Sequence, residues 1–226
     1  MVGPSAWRRL SEGRQAGQQE QFLGFPQLAL VAAKGAAALD PLSFVDRRNL
    51  GVGYLYLARY GEAAHAAHAA LALAPGQQDG LILLCQSDSD LGNLAEAHAM
   101  EAQLAMSPAF AKGCAFDIAL GEHETKRASA ILEDFARDFR EGELGAAQIG
   151  TMYAAAGDTG KAIVWFGRAY DLGEPGLFVI PGDRALPPDL FLQPGWKALR
   201  GRPLFVTWRT AHDRLANGVA ASDPVN

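Results

Sequence analysis

An all-α fold of stacked helix pairs, closed by a C-terminal capping helix, is what this 226-residue sequence predicts. Three observations carry that expectation. Alanine abounds while valine and isoleucine are sparse, a composition that favours helix over strand. Small residues and a terminating proline recur at a fixed spacing: Ala29, Ala33, Ala36 and Pro41 each lie 34 residues before Ala63, Ala67, Ala70 and Pro75. After Glu174 the composition changes, and Pro175, Pro181, Pro187, Pro188 and Pro194 stop long helices before a final periodic segment.

An apolar content of 49% is enough for a continuous core at this length. The net charge of -5, from 20 basic and 25 acidic residues, provides no basic field for nucleic acid or an anionic membrane, so neither is expected as a partner. Cys85 and Cys114 are the two cysteines; far apart and inside predicted helices, they are expected to be buried thiols of a cytoplasmic protein. The most apolar region, Phe22 to Leu42, is interrupted by Pro26, Lys34 and Asp40, so no signal peptide or membrane span is expected.

Taken in order, residues 1–26 are a polar tail or degenerate first helix, 27–175 a repeat domain, and 176–226 a proline-rich connection with the capping helix. Gln27 to Leu39 reads as the second helix of an incomplete first repeat. In the central unit, Leu50, Gly51 and Tyr54 share one helix, a turn falls near Arg59 to Gly61, and Ala63, Ala67 and Ala70 share the next. One period later stand Leu84, Cys85, Leu94, Glu96 and Ala97, but Asp88 replaces Tyr54, so this first helix is expected to be shorter. The unit from Phe110 to Arg137 is the least regular, with Phe116 where a small residue is wanted. Ile149, Gly150, Tyr153, Ala162, Phe166 and Ala169 restore the pattern, with Asp158 or Thr159 as helix cap. From Pro203, the spacing of Leu204, Trp208, Ala211 and Leu215 predicts a closing helix, and Trp196, Phe205 and Trp208 are expected to cover the last repeat.

These small and aromatic positions resemble the tetratricopeptide (TPR) repeat, a helix, turn, helix unit of 34 residues. The resemblance covers roughly residues 27 to 215 and implies a right-handed α-α superhelix. The tail with Trp196, Arg200, Pro203 and Phe205 is also similar to the segment that closes TPR regions in bacterial adenylate cyclases and winged-helix regulators. No catalytic or DNA-binding domain of those proteins is present in this sequence, so neither activity is carried over.

The resemblance implies that function lies on the first helices, which line a concave groove. The positions so implied are Val45, Arg48, Asn49, Val52 and Tyr56, then Asp79, Gln86 and Asp90, then Asp117, and then Gln148 and Thr151. They suggest a scaffold that binds a peptide or helical segment of another protein. A basic segment would suit the acidic middle, with an apolar anchor near Val52 and Tyr56. Only Arg48 and Asn49 match the pairs with which some members clamp acidic peptide ends, so no such clamp is inferred. A detached sensory module of a signalling protein is the alternative.

No chemistry of catalysis is expected, nor any metal or cofactor. His65 and His68 share a helix face but lack a third ligand. The acidic run at Asp88 and Asp90 has Ala99 where a calcium loop needs a bidentate glutamate. Gly157 to Lys161 lacks the spacing of a phosphate-binding loop and falls in a repeat turn.

Overall fold

The computed structural model describes residues 26–104, 108–137, 139, 145–178, 180, 186–210 and 213. The proposed N-terminal tail, with Trp7 and Leu10, lies outside these residues, as do Ala211 and Leu215. Helices α1 (Pro26–Leu39), α2 (Phe44–Leu55), α3 (Tyr60–Leu73), α4 (Gln78–Leu91), α5 (Leu94–Gln103), α6 (Pro108–Gly121), α7 (Thr125–Arg137), α8 (Ala146–Ala155) and α9 (Thr159–Leu172) follow one another. Short 3-10 turns at Pro175–Phe178 and Pro188–Leu192 lead to α10 (Pro194–Arg200) and to α11, covering 203–210. The fold is an all-α solenoid. Each helix packs chiefly on the next, and first helices of successive repeats also meet, α2 on α4 and α4 on α6.

Small residues set how closely the helices approach. Ala63, Ala67 and Ala70 on α3, Ala97 on α5 and Ala162 and Ala169 on α9 are fully buried. A side chain built on Gly51 would place its Cβ 2.6 Å from Leu83 Cδ2 in the next repeat and 3.3 Å from the Ala63 carbonyl oxygen. At Gly150 the Cβ would fall 2.4 Å from Phe166 Cε1. The second contact is the stricter, because Leu83 ends in a flexible branch whereas the Phe166 ring is enclosed on all sides.

Local hydrogen bonds fix the turns. Ser43 caps α2 by accepting from the Asp46 N–H at 3.2 Å. Asp158, rather than Thr159, caps α9 by accepting from the Lys161 N–H at 2.9 Å. Gly173 adopts φ 71°, and the Glu174 N–H then reaches back to the Ala169 carbonyl at 3.0 Å. This turn aims the Glu174 carboxylate at the start of α8, where it accepts from the N–H groups of Ala146 and Ala147 at 2.7 and 2.9 Å. A negative charge on two orphan donors at a helix N-terminus stabilises α8.

Two sequence expectations are corrected. Asp88 does not shorten its helix: α4 has 14 residues, two more than α2. The buried Asp88 instead accepts from the Asn93 side-chain amide at 3.1 Å, and its carbonyl accepts from the Asn93 N–H at 2.8 Å, tying α4 to α5. Cys85 and Cys114 are not free thiols but a disulfide joining α4 to α6, with Cα atoms 5.8 Å apart. The two cysteines therefore no longer point to a reducing compartment. Closing a loop with 29 residues of separation is worth roughly 3 to 4 kcal/mol in the chain-entropy treatment. On α11, Phe205 is buried and Trp208 packs against the same core, as expected of the cover, while Leu204 is half-exposed and its N–H donates to the Tyr170 hydroxyl at 2.9 Å.

The C-terminal segment covers the last repeat with aromatic residues. Trp196 is fully buried and meets Phe166, Phe191 and Phe205 edge to face, with ring centroids 5.7, 5.5 and 5.8 Å away. The Arg202 guanidinium lies 3.6 Å from the Tyr170 ring centroid and pairs with Asp171 at 2.6 Å, closing the edge of this cluster. His65 and His68 are exposed on α3.

Gly150→Leu is expected to lower stability by about 1 to 3 kcal/mol, and Gly51→Leu by less, with His65→Ala as a silent control. Denaturant midpoints will show this order; equal midpoints for wild type and Gly150→Leu would contradict the packing. Trp196→Ala is expected to cost about 3 to 5 kcal/mol. Trp196→Phe should cost much less, since the buried indole nitrogen has no hydrogen-bond partner to lose. A thermal unfolding series ranking Trp196→Phe with Trp196→Ala would contradict this reading.

Candidate functional site

The expected groove residues fall into separate groups. Arg48 on α2 donates to the Asn49 side-chain oxygen at 3.0 Å and reaches Asp79 at the start of α4 at 3.6 Å. Arg48 therefore answers the charge of Asp79, and the partial exposure of both keeps the pair weak. Val45 is half-exposed beside this group. Val52 is different: it packs against the core cluster of Ala64, Ala67, Leu83 and Leu84. Tyr56 is half-buried as the C-cap of α2.

The second group comes from consecutive first helices. Gln86 and Asp90 stand one turn apart on α4, and Asp117 on α6 receives a hydrogen bond from Gln86. Burial, and then the neighbouring charge of Asp90, push the Asp117 carboxyl up to about 8, against the opposing effect of the Gln86 hydrogen bond. Burial alone raises Asp90 to about 6. By surface area, however, Asp90 is exposed and Asp117 half-buried, so water screens Asp90 well and the displacement that carries weight is that of Asp117. Of the two, Asp117 is the carboxyl that stays protonated to the higher pH. Among the described residues neither carboxyl has a basic partner.

Gln148 and Thr151 stand apart on α8, where the Thr151 hydroxyl donates to the Gln148 carbonyl at 2.7 Å within the same helix. The acidic middle thus rests on two repeats, and the final repeat does not extend it.

Two features are not evident from the sequence pattern. The disulfide joins the two helices that carry the acidic pair: Cys85 adjoins Gln86, and Cys114 is one turn before Asp117. Its available signal was the placement of both cysteines on first helices of neighbouring repeats. A cavity of about 220 Å³ also lies between α9 and α11, lined by Tyr170, Gly173, Glu174, Leu177, Leu204, Thr207 and Trp208.

Among the described residues, no group of three or more His, Cys, Asp or Glu side chains could hold a metal ion. No helix there is long and apolar enough to cross a membrane.

No protein-family model and no curated protein matches this sequence. Among solved structures, the chain is similar to a thermophilic TPR protein from Thermus thermophilus, at 15% identity and a TM-score of 0.52. That likeness spans 78% of this chain and 98% of the other. At such low identity it bears on the fold, and the fold it supports is the TPR-like helical solenoid expected from the small-residue register.

Proposed function

We propose that this chain is a protein-interaction scaffold whose first helices receive a basic segment of a partner protein. The supporting observation is the Asp90 and Asp117 pair, carried by consecutive repeats, with Gln86 hydrogen-bonded to Asp117 and no basic partner among the described residues. A guanidinium suits this place, because it is weakly hydrated and presents several donors to carboxylate oxygens. Arriving there, it would favour the ionised form of Asp117 and offset the repulsion from Asp90. Asp79 contributes less, being already paired with Arg48. Charge sets orientation and association rate, while affinity requires an apolar anchor, for which the half-exposed Val45 and the neighbouring Tyr56 are the available surface.

The alternative, a sensory module answering to a small ligand, draws on the cavity between α9 and α11. Its lining is almost wholly apolar, because the Glu174 carboxylate is engaged at the start of α8 and the Tyr170 hydroxyl at Leu204. The acidic pair has the clearer chemistry.

A labelled peptide of alternating arginine and leucine, with a glutamate-for-arginine counterpart, tests the groove by fluorescence anisotropy. The basic peptide should bind, more weakly in high salt, and the acidic one should not. Carboxyls raised in the free chain are protonated and neutral at low pH, so binding should strengthen as pH rises through about 6 and then about 8. Asp90→Asn combined with Asp117→Asn should remove most of that pH dependence, whereas Asp79→Asn should preserve it. Equal binding of the two peptides, or an unchanged pH profile in the double variant, would contradict the groove.

A further inference from the structure

The single covalent link between repeats joins the two helices to which recognition is assigned. Cys85 and Cys114 are fully buried, packed with Leu81, Ala97, Leu104 and Ile118. Their bond joins the first helices of consecutive repeats, α4 and α6, which are the two helices that carry Gln86, Asp90 and Asp117. Cys114 and Asp117 are three residues apart and so lie on one side of α6.

We propose that this disulfide is a redox-dependent lock on the groove. Oxidised, it holds α4 and α6 at the spacing that brings Asp90 and Asp117 together; reduced, it lets that spacing widen and weakens binding of a basic segment. The proposal rests on the groove reading above and names a regulation of that same site.

Bonded sulfurs lie well inside van der Waals contact, and two thiols cannot remain there. In a close-packed interior the extra room must come from a shift of the helices or a rearrangement of the surrounding side chains. Leu81 and Ile118 occupy the same two helices as the cysteines and leave little slack between them. A shift at Cys114 is carried to Asp117 by one rigid helical turn. It would separate Asp117 from Asp90, lowering their mutual repulsion. The reduced state also has somewhere to go: Cys114 Sγ lies 3.7 Å from the Ala97 carbonyl oxygen, which a thiol proton could reach. Both redox states can therefore be folded, as a switch requires.

The chemistry is a dithiol exchange. A thiolate of an external dithiol attacks one sulfur, the Cys85–Cys114 bond breaks, and the second thiol of the reductant closes its own disulfide. Two electrons pass to the protein and two protons complete its thiols, while the reductant is oxidised by the same amount. Full burial requires α5 to open first, because Ala97 and Leu104 cover the bond from that side. The lock would thus follow the lasting redox state of its surroundings and ignore brief fluctuations.

The test compares the whole chain before and after treatment with a dithiol such as dithiothreitol, with alkylation and mass measurement to confirm two thiols. Carboxyl-carbon NMR follows the titration of Asp117, and anisotropy follows the arginine and leucine peptide. Reduction should move the Asp117 midpoint downward, and above both midpoints, where both carboxyls are ionised in either redox form, it should weaken peptide binding by about fivefold or more. Cys85→Ala combined with Cys114→Ala should be insensitive to the reductant. If neither redox form binds the peptide but the Asp117 midpoint moves, the lock stands and the groove reading fails. An Asp117 midpoint and peptide affinity that are the same in both redox states would overturn the lock. So would a dithiol effect that survives in the double variant, or thiols that cannot be oxidised to the intramolecular bond.

Discussion

A helix pair that is apolar on both broad faces cannot bury them by itself, and every other feature of this molecule answers to that constraint. Stacking is the only way to remove those faces from water, so each repeat is stable because of its neighbours. Stacking in turn requires close approach, which Gly51, Gly150 and the buried alanines permit. The open end of the stack then requires a cover. The Trp196 and Phe205 cluster supplies it, and the largest core of the molecule runs without a break from Phe116 on α6 to Phe205 on α11.

The proposed recognition surface is a by-product of the same geometry. Once α4 and α6 are forced side by side, polar residues on their exposed sides become neighbours although 27 positions separate Asp90 from Asp117 in sequence. Two carboxyls placed together at the edge of an apolar stack lose water and repel each other, so the fold itself holds protons at that point. The proposed groove's charge is set first by burial and then by the spacing of α4 and α6, and the disulfide joins those two helices.

How much of this could be read from the sequence depended on whether the cause was periodic. The register of Ala63, Ala67, Gly150 and Phe166 was legible because the same packing demand repeats along the chain. The grouping of Gln86, Asp90 and Asp117 followed from it. Asp88 was misread because its role depends on one local partner, Asn93, which no periodic pattern reports. The cysteine pairing was missed because Cys85 and Cys114 are 29 residues apart, off the 34-residue spacing, in the stretch where the repeats are least regular. On α11 the aromatic cover of Phe205 and Trp208 was legible, whereas the exposure of Leu204 was not. Val52 was assigned to the groove although its side chain serves the core, since a first helix has two packed flanks and only a narrow open face.

Hydrogen exchange resolved along the chain tests dependence on neighbours most directly. Among the described helices, α8, α9 and α10 share the capped aromatic core, so their amides should exchange together and most slowly. Those of α1, whose chief contact is α2, should exchange fastest. Uniform protection from α1 to α10, or slowest exchange in α1, would show that the stack is not held together in this way.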